Sequence, residues 1–85
     1  MKLNVGDCVI CRDRSFLFKY SAQPSTDCSN IGIIKYITDN SYQILFLKDS
    51  SSSSKGWYYN KKDTDKDLTV IKLKNNSIIR ILYGK

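Results

Sequence analysis

All eight acidic residues of this 85-residue chain are aspartates, and Ala22 is its only alanine. Glu and Ala are among the strongest helix formers, whereas Asp competes with the helical backbone and prefers turns and caps. Ile, Tyr, Phe, Val and Thr are plentiful instead, and these suit a pleated, half-buried surface. The chain is therefore expected to be all-β. Its length allows one domain, residues 1–85, burying only about 60–65 % of the unfolded surface. Little room is left for a deep substrate cleft, and binding modules dominate at this size.

Alternating apolar residues and turn signals predict five or six short strands. Asp7–Arg12 is the first, with Val5, Val9 and Cys11 toward one side and Cys8 and Ile10 toward the other. Asp13–Asn30 is a long polar stretch holding the only proline, Pro24, and Phe16, Leu17 and Phe18 are expected to pin it to the body. A loop this long is usually functional or folded on itself. Ile31–Thr38 and Tyr42–Lys48 should pair through Asp39-Asn40-Ser41, since Asn and Asp tolerate a positive φ. Tyr42, Ile44 and Phe46 share one face of the third strand, and Gln43, Leu45 and Leu47 the other, which places this strand centrally. Five consecutive serines, Ser50–Ser54, make an exposed loop. Trp57–Asn60 is a short aromatic strand, and Lys61–Asp67 is a turn or a single turn of 3-10 helix. Leu68–Lys74 and Ser77–Tyr83 flank Asn75-Asn76, a type I′ hairpin signal.

Five segments carry a family resemblance. They are Val5-Gly6-Asp7-Cys8-Val9, Gly32-Ile33-Ile34-Lys35-Tyr36-Ile37, Asn40-Ser41-Tyr42-Gln43-Ile44-Leu45-Phe46, Gly56-Trp57-Tyr58-Tyr59 and Asp67-Leu68-Thr69-Val70. In this order they resemble a Src-homology-3-like small β-barrel of the Tudor and KOW kind, over roughly residues 3–73. The resemblance implies a five- to six-stranded barrel with aromatics near the strand ends. Two features depart from it: the first loop is longer, and the final strand Ser77–Tyr83 is extra. That strand would close the barrel as a C-terminal hairpin, or cover an edge that otherwise invites aggregation. Small barrels host many unrelated functions, so function has to be argued from the residues.

Several chemistries are disfavoured. The chain has no His and no Glu. Cys8-x-x-Cys11 would be half of a zinc site, but a structural site needs four ligands, and residues three apart on a strand point to opposite faces. Catalytic cysteine or serine chemistry lacks its usual base. Asp63, Asp65 and Asp67 alternate like the start of a calcium loop, but its glycine and terminal Glu are missing. No enzyme activity, metal or cofactor is expected. The odd cysteine count, with Cys8, Cys11 and Cys28, suits reduced thiols in the cytoplasm. No apolar run is long enough to span a bilayer, so no membrane partner is expected. The wealth of Ile, Lys, Asn and Tyr is typical of an AT-rich genome, such as that of a low-GC bacterium or a phage.

The net charge is +6, and it is uneven. Residues 1–54 carry six basic and five acidic groups; residues 55–85 carry eight and three. A basic surface favours anionic partners, although net charge also serves solubility. The aromatic set Tyr20, Tyr36, Tyr42, Trp57, Tyr58 and Tyr59 is the strongest functional signal, with one side of the Trp57–Tyr59 strand expected in the core. Lys55, Lys61 and Lys62 bracket that strand, and Arg12, Arg14 and Lys19 flank the long first loop beside Tyr20. The expected function is non-catalytic docking on a host or partner protein, as an adaptor or inhibitor. The expected face comprises Tyr36, Trp57, Tyr58, Tyr59, Lys55, Lys61, Lys62, Arg12, Arg14 and Tyr20. The alternative is nucleic-acid binding, with aromatics stacking on bases and Lys or Arg holding phosphate. Asp13, Asp63, Asp65 and Asp67 interrupt the basic groups, which favours protein.

Overall fold

In the computed structural model, which describes residues 3–19, 21–51, 55–66 and 70–73, the apolar alternation is realised as antiparallel strands. These are β1 (Cys8–Cys11), β2 (Ile31–Ile37), β3 (Ser41–Phe46), β4 (Trp57–Asn60) and β5 (Val70–Lys72). They lie in the order β4-β3-β2-β1-β5. Among the described residues the sheet is open, with β4 and β5 at its two edges. Helix is limited to a 3-10 helix, Arg14–Phe18, and α1, Lys61–Lys66. The expected hairpin at Asn75-Asn76 and the strand Ser77–Tyr83 lie outside the described residues, as does Tyr20.

One face of the sheet supplies the core. Val9 and Cys11 of β1, Ile34 of β2, Tyr42, Ile44 and Phe46 of β3, Tyr59 of β4 and Val70 of β5 form a single buried cluster. Burial alternates along β1 and β3 as a two-residue period demands. The aromatic centre is Tyr59. Phe16 stacks on it at 5.3 Å between ring centroids, and Phe46 meets it edge-on at 5.8 Å. Both are favoured arrangements of ring quadrupoles.

The long first loop is folded on itself. Asp13 starts the 3-10 helix by accepting from the Ser15 amide (3.0 Å) and hydroxyl (2.8 Å). That helix drops Phe16 and Leu17 into the core and leaves Phe18 exposed. Arg14 then ties the loop's two halves together. It donates to the backbone carbonyls of Cys28 (2.9 Å) and Thr26 (2.8 Å) and to the Asn30 side chain.

Three local expectations change. Val5 sits in the turn before β1 and is exposed, so it does not join Val9 and Cys11. The β2–β3 hairpin is made without a positive φ at Asp39 or Asn40; among the described non-glycine residues only Lys48 has one. Instead the Thr38 hydroxyl accepts from the Ser41 amide (2.9 Å), and the Thr38 amide donates to the Ser41 carbonyl (2.9 Å). Residues 61–66 form a short α-helix, where the sequence predicts a turn or a single turn of 3-10 helix. Asn60 starts it by accepting from the Lys62 amide (2.8 Å), and the buried Thr64 hydroxyl donates to the Asn60 carbonyl (2.9 Å).

Candidate functional site

The register between β3 and β4 decides which aromatics are available. Trp57 pairs with Ile44, Tyr58 with Gln43, Tyr59 with Tyr42 and Asn60 with Ser41. Cross-strand partners lie on the same face. Tyr42 and Ile44 point into the core, so Trp57 and Tyr59 do too, and Tyr58 points away. Tyr59 is fully buried, and its hydroxyl donates to the Leu17 carbonyl (2.5 Å). Burial raises its phenol pKa far above the ordinary value. Trp57 is half-buried against the core, and its indole donates to Asp49 (3.2 Å). Neither residue offers a ring face to a partner as Tyr58 does.

On β2 a bulge between Ile34 and Tyr36 resets the alternation. Ile34 pairs with Ile44 and faces inward; Tyr36 pairs with Gln43 and faces outward. Lys35 is the extra residue and is exposed. Tyr36 and Tyr58 are therefore on one face, 56 % and 50 % exposed, on either side of Gln43. Two strand spacings put their Cα atoms roughly 10 Å apart. Toward β1 the face continues with half-buried Leu45, Ile33 and Cys8.

In the other direction the row meets a polar pocket. The Ser41–Asn60 pair lies next along the same face. Beyond it an open pocket of about 220 Å³ is lined by Asp39, Asn40, Asn60, Lys61 and Lys62. The Lys61 amide donates to the Asn40 carbonyl (2.8 Å), which fixes the helix start against the hairpin. The Lys61 amine stands 5.5 Å from the centre of the Tyr42 ring, within cation–π range. Lys62 is exposed. Elsewhere, on β5 and in the turn before β1, the Lys72 amine pairs with the Asp7 carboxylate at 3.5 Å.

Of the residues selected from the sequence, Tyr36, Tyr58, Lys61 and Lys62 come together at this end of the sheet. Arg12 and Arg14 lie at the opposite end of β2, near Ser29 and Asn30, and Arg14 is engaged in holding the loop. Lys55 is exposed just before β4. Gln43, the centre of the row, was not among the selected residues. Its signal was its place on the face opposite Tyr42 and Ile44; what it lacked was a known cross-strand neighbour.

Asp49 anchors both ends of the serine loop. Its carboxylate accepts from the Ser25 amide (2.9 Å), the Ser51 amide (2.9 Å) and the Trp57 indole. Burial pushes its pKa up, but these donors outweigh burial and hold it below the usual carboxylate range. A depressed folded-state pKa contributes stability that is fully present above the unfolded value of about 4 and lost as pH falls through the folded one. Asp49→Asn should therefore flatten the acid limb of a melting-temperature profile below about pH 4. An acid limb identical to that of wild type would exclude this role.

The cysteines behave as core and face residues. Cys11 and Cys28 are buried free thiols whose pKa values burial raises, and Cys11 donates to the Asp13 carbonyl at 3.0 Å. Cys8 lies on the outer face, opposite in direction to Cys11. Among the described residues no helix is long and apolar enough to cross a membrane. Compared with known proteins, the chain matches no family model, no curated protein and no solved structure.

Proposed function

We propose that this chain is a non-catalytic binding module that docks on a partner protein, as an adaptor or inhibitor, through an exposed aromatic and basic face. The observation that carries this reading is the outward pair Tyr36 and Tyr58, both at least half exposed on one side of a sheet whose other side is core. Tyrosine concentrates binding energy at interfaces because its large ring loses little conformational freedom when it is fixed. Lys35, Lys61 and Lys62 add charge that steers an anionic partner.

The architecture is read as a sheet rolled toward a Src-homology-3-like small barrel. Two observations support this. β4 and β5 follow each other in the chain yet stand at opposite edges, and Tyr59 and Val70 from those edges enter one core cluster. A phage or low-GC bacterial origin is favoured by the AT-rich composition, and reduced thiols suit a cytoplasmic setting.

Nucleic-acid binding is the competing reading, and the +6 charge beside two exposed tyrosines is what favours it. Affinity capture from a low-GC bacterial lysate separates them. Wild type should retain a protein that the Tyr36→Ser/Tyr58→Ser variant loses. Equal recovery by both would place the contact elsewhere. A gel shift with single- and double-stranded DNA at about 50 mM salt that weakens steeply with added salt would favour nucleic acid instead.

A further inference from the structure

We propose that the partner protein supplies an extended segment that adds to the open edge of β4 as a further strand. Its backbone pairs with that of Tyr58, and it sets an aromatic or β-branched side chain beside the Tyr58 ring. The inference rests on the docking reading above and names how the partner binds.

The phase of the β3–β4 ladder carries it. The Lys61 amide donates to the Asn40 carbonyl (2.8 Å), one step past the Asn60–Ser41 pair. Hydrogen-bonded pairs alternate along an antiparallel ladder. Tyr59–Tyr42 and Trp57–Ile44 are therefore hydrogen-bonded pairs, and Tyr58–Gln43 is not. The other side of β3 agrees. There the Ser41 carbonyl accepts from the Thr38 amide (2.9 Å) and the Leu47 amide donates to the Ile31 carbonyl (2.8 Å). Ser41 and Leu47 thus bond toward β2, which leaves Tyr42 and Ile44 to bond toward β4. The Tyr58 amide and carbonyl consequently point away from β3. Among the described residues β4 stands at the edge of the sheet, so they point off that edge. The Asn60 amide points the same way, while the Asn60 carbonyl accepts from the Thr64 hydroxyl (2.9 Å).

A donor and an acceptor from one residue, aimed off the sheet, are matched by another polypeptide backbone. A phosphate group offers acceptors alone and leaves the carbonyl unpaired. On the added strand the residue opposite Tyr58 stands on the outer face. It extends the Tyr36–Gln43–Tyr58 row, which carries no formal charge. Aromatic and β-branched side chains are the favoured cross-strand neighbours of a tyrosine. A second copy of this chain fits less well. Joining two β4 edges antiparallel, Tyr58 to Tyr58, turns Lys55 of each copy toward Lys61 of the other. Like charges facing each other across strands are destabilising.

Amide hydrogen exchange on the full-length chain, read by NMR, is the test. In the free chain the Tyr58 amide should exchange at least about tenfold faster than the Tyr59 amide, which its bond to β3 protects. Peptides are then selected from a random dodecapeptide phage library on the immobilised full-length chain. Enriched sequences should carry Val, Ile, Thr or aromatic residues in alternation. At saturation these peptides should slow exchange at Tyr58 at least about tenfold. A backbone N-methyl scan of a peptide should find one residue whose methylation weakens binding about tenfold, between neighbours that tolerate it. Tyr58→Ser keeps the backbone groups and should weaken the same peptides severalfold through the lost ring, with an unchanged melting temperature.

A Tyr58 amide as protected as that of Tyr59 in the free chain overturns the inference. So do a selection that enriches nothing, bound peptides that leave Tyr58 exchange unchanged, and a flat N-methyl scan. Tyr58 protection that grows with protein concentration alone overturns it in favour of a second copy. Binding of a labelled oligothymidine in place of any peptide overturns it in favour of nucleic acid. Peptides lost in the Tyr36→Ser/Tyr58→Ser variant but silent at the Tyr58 amide would remove strand addition and leave the docking face standing. Lysate capture indifferent to that variant would remove the docking reading itself.

Discussion

Gly56→Ala is expected to destabilise the fold by about 3 kcal/mol or more. Gly56 has a φ of +94°, and a Cβ there would sit 2.3 Å from the Ile44 carbonyl oxygen and 2.7 Å from the Leu45 nitrogen. These are backbone atoms of β3, the strand flanked by β2 and β4, so relief requires moving the ladder itself. A chain of this length holds about 4–13 kcal/mol in total, so the loss is a large share. Gly6→Ala is the matched control. Gly6 also has a positive φ, +92°, but a Cβ there meets nothing within 4 Å. Only the cost of a left-handed backbone remains, about 1–2 kcal/mol. Urea denaturation of the two variants should give clearly different midpoints. Equal shifts would mean that the close approach of Gly56 to β3 does not constrain the chain. Gly56 also lies next to the site, because it leads directly into β4, where Tyr58 pairs with Gln43.

The strands were legible where a two-residue period met a turn signal. Tyr42, Ile44 and Phe46 face the core together, and Cys8 and Cys11 face opposite ways, as alternation requires. The first loop's anchors, Phe16 and Leu17, were legible because apolar side chains in a polar stretch need somewhere to be buried. Phe18, the third expected anchor, is exposed, because three residues complete a 3-10 turn and all three successive side chains cannot face the core.

The site was less legible, and the reason is a single residue. Strict alternation from Ile34 would turn Tyr36 into the core. The bulge at Lys35 absorbs one position and turns Tyr36 out. A bulge depends on cross-strand pairing and leaves no dependable mark in the strand's own residues. The short helix was legible only as a turn or a single 3-10 turn, for a related reason. Its stability comes from Asn60 and from Thr64 buried on the preceding carbonyl, and helix propensity does not count either contact. Arg14 looked like a free cation beside an aromatic loop. Its three acceptors lie 12 to 16 residues away, out of reach of any local pattern.

The sharpest test of this register is a pair of neighbours. Tyr59→Ala should cost about 3–5 kcal/mol, the range for deleting a buried aromatic side chain. It removes the ring between Phe16 and Phe46 and leaves the Leu17 carbonyl without its donor. Tyr59→Phe keeps the ring and should cost about 1–3 kcal/mol, the penalty of the unpaired carbonyl. Tyr58→Ala, one residue away, should change stability by no more than about 0.5 kcal/mol, since half of that side chain is already in water. Partner affinity should respond the other way. Tyr58→Ala should weaken binding, whereas Tyr59→Phe, which leaves the outer face untouched, should not. A shift of β4 by one residue exchanges the two roles, because successive strand side chains point to opposite faces. Denaturation midpoints and partner titrations on these three variants therefore read the register and the binding face together. Stability loss at Tyr58 with none at Tyr59 would overturn both.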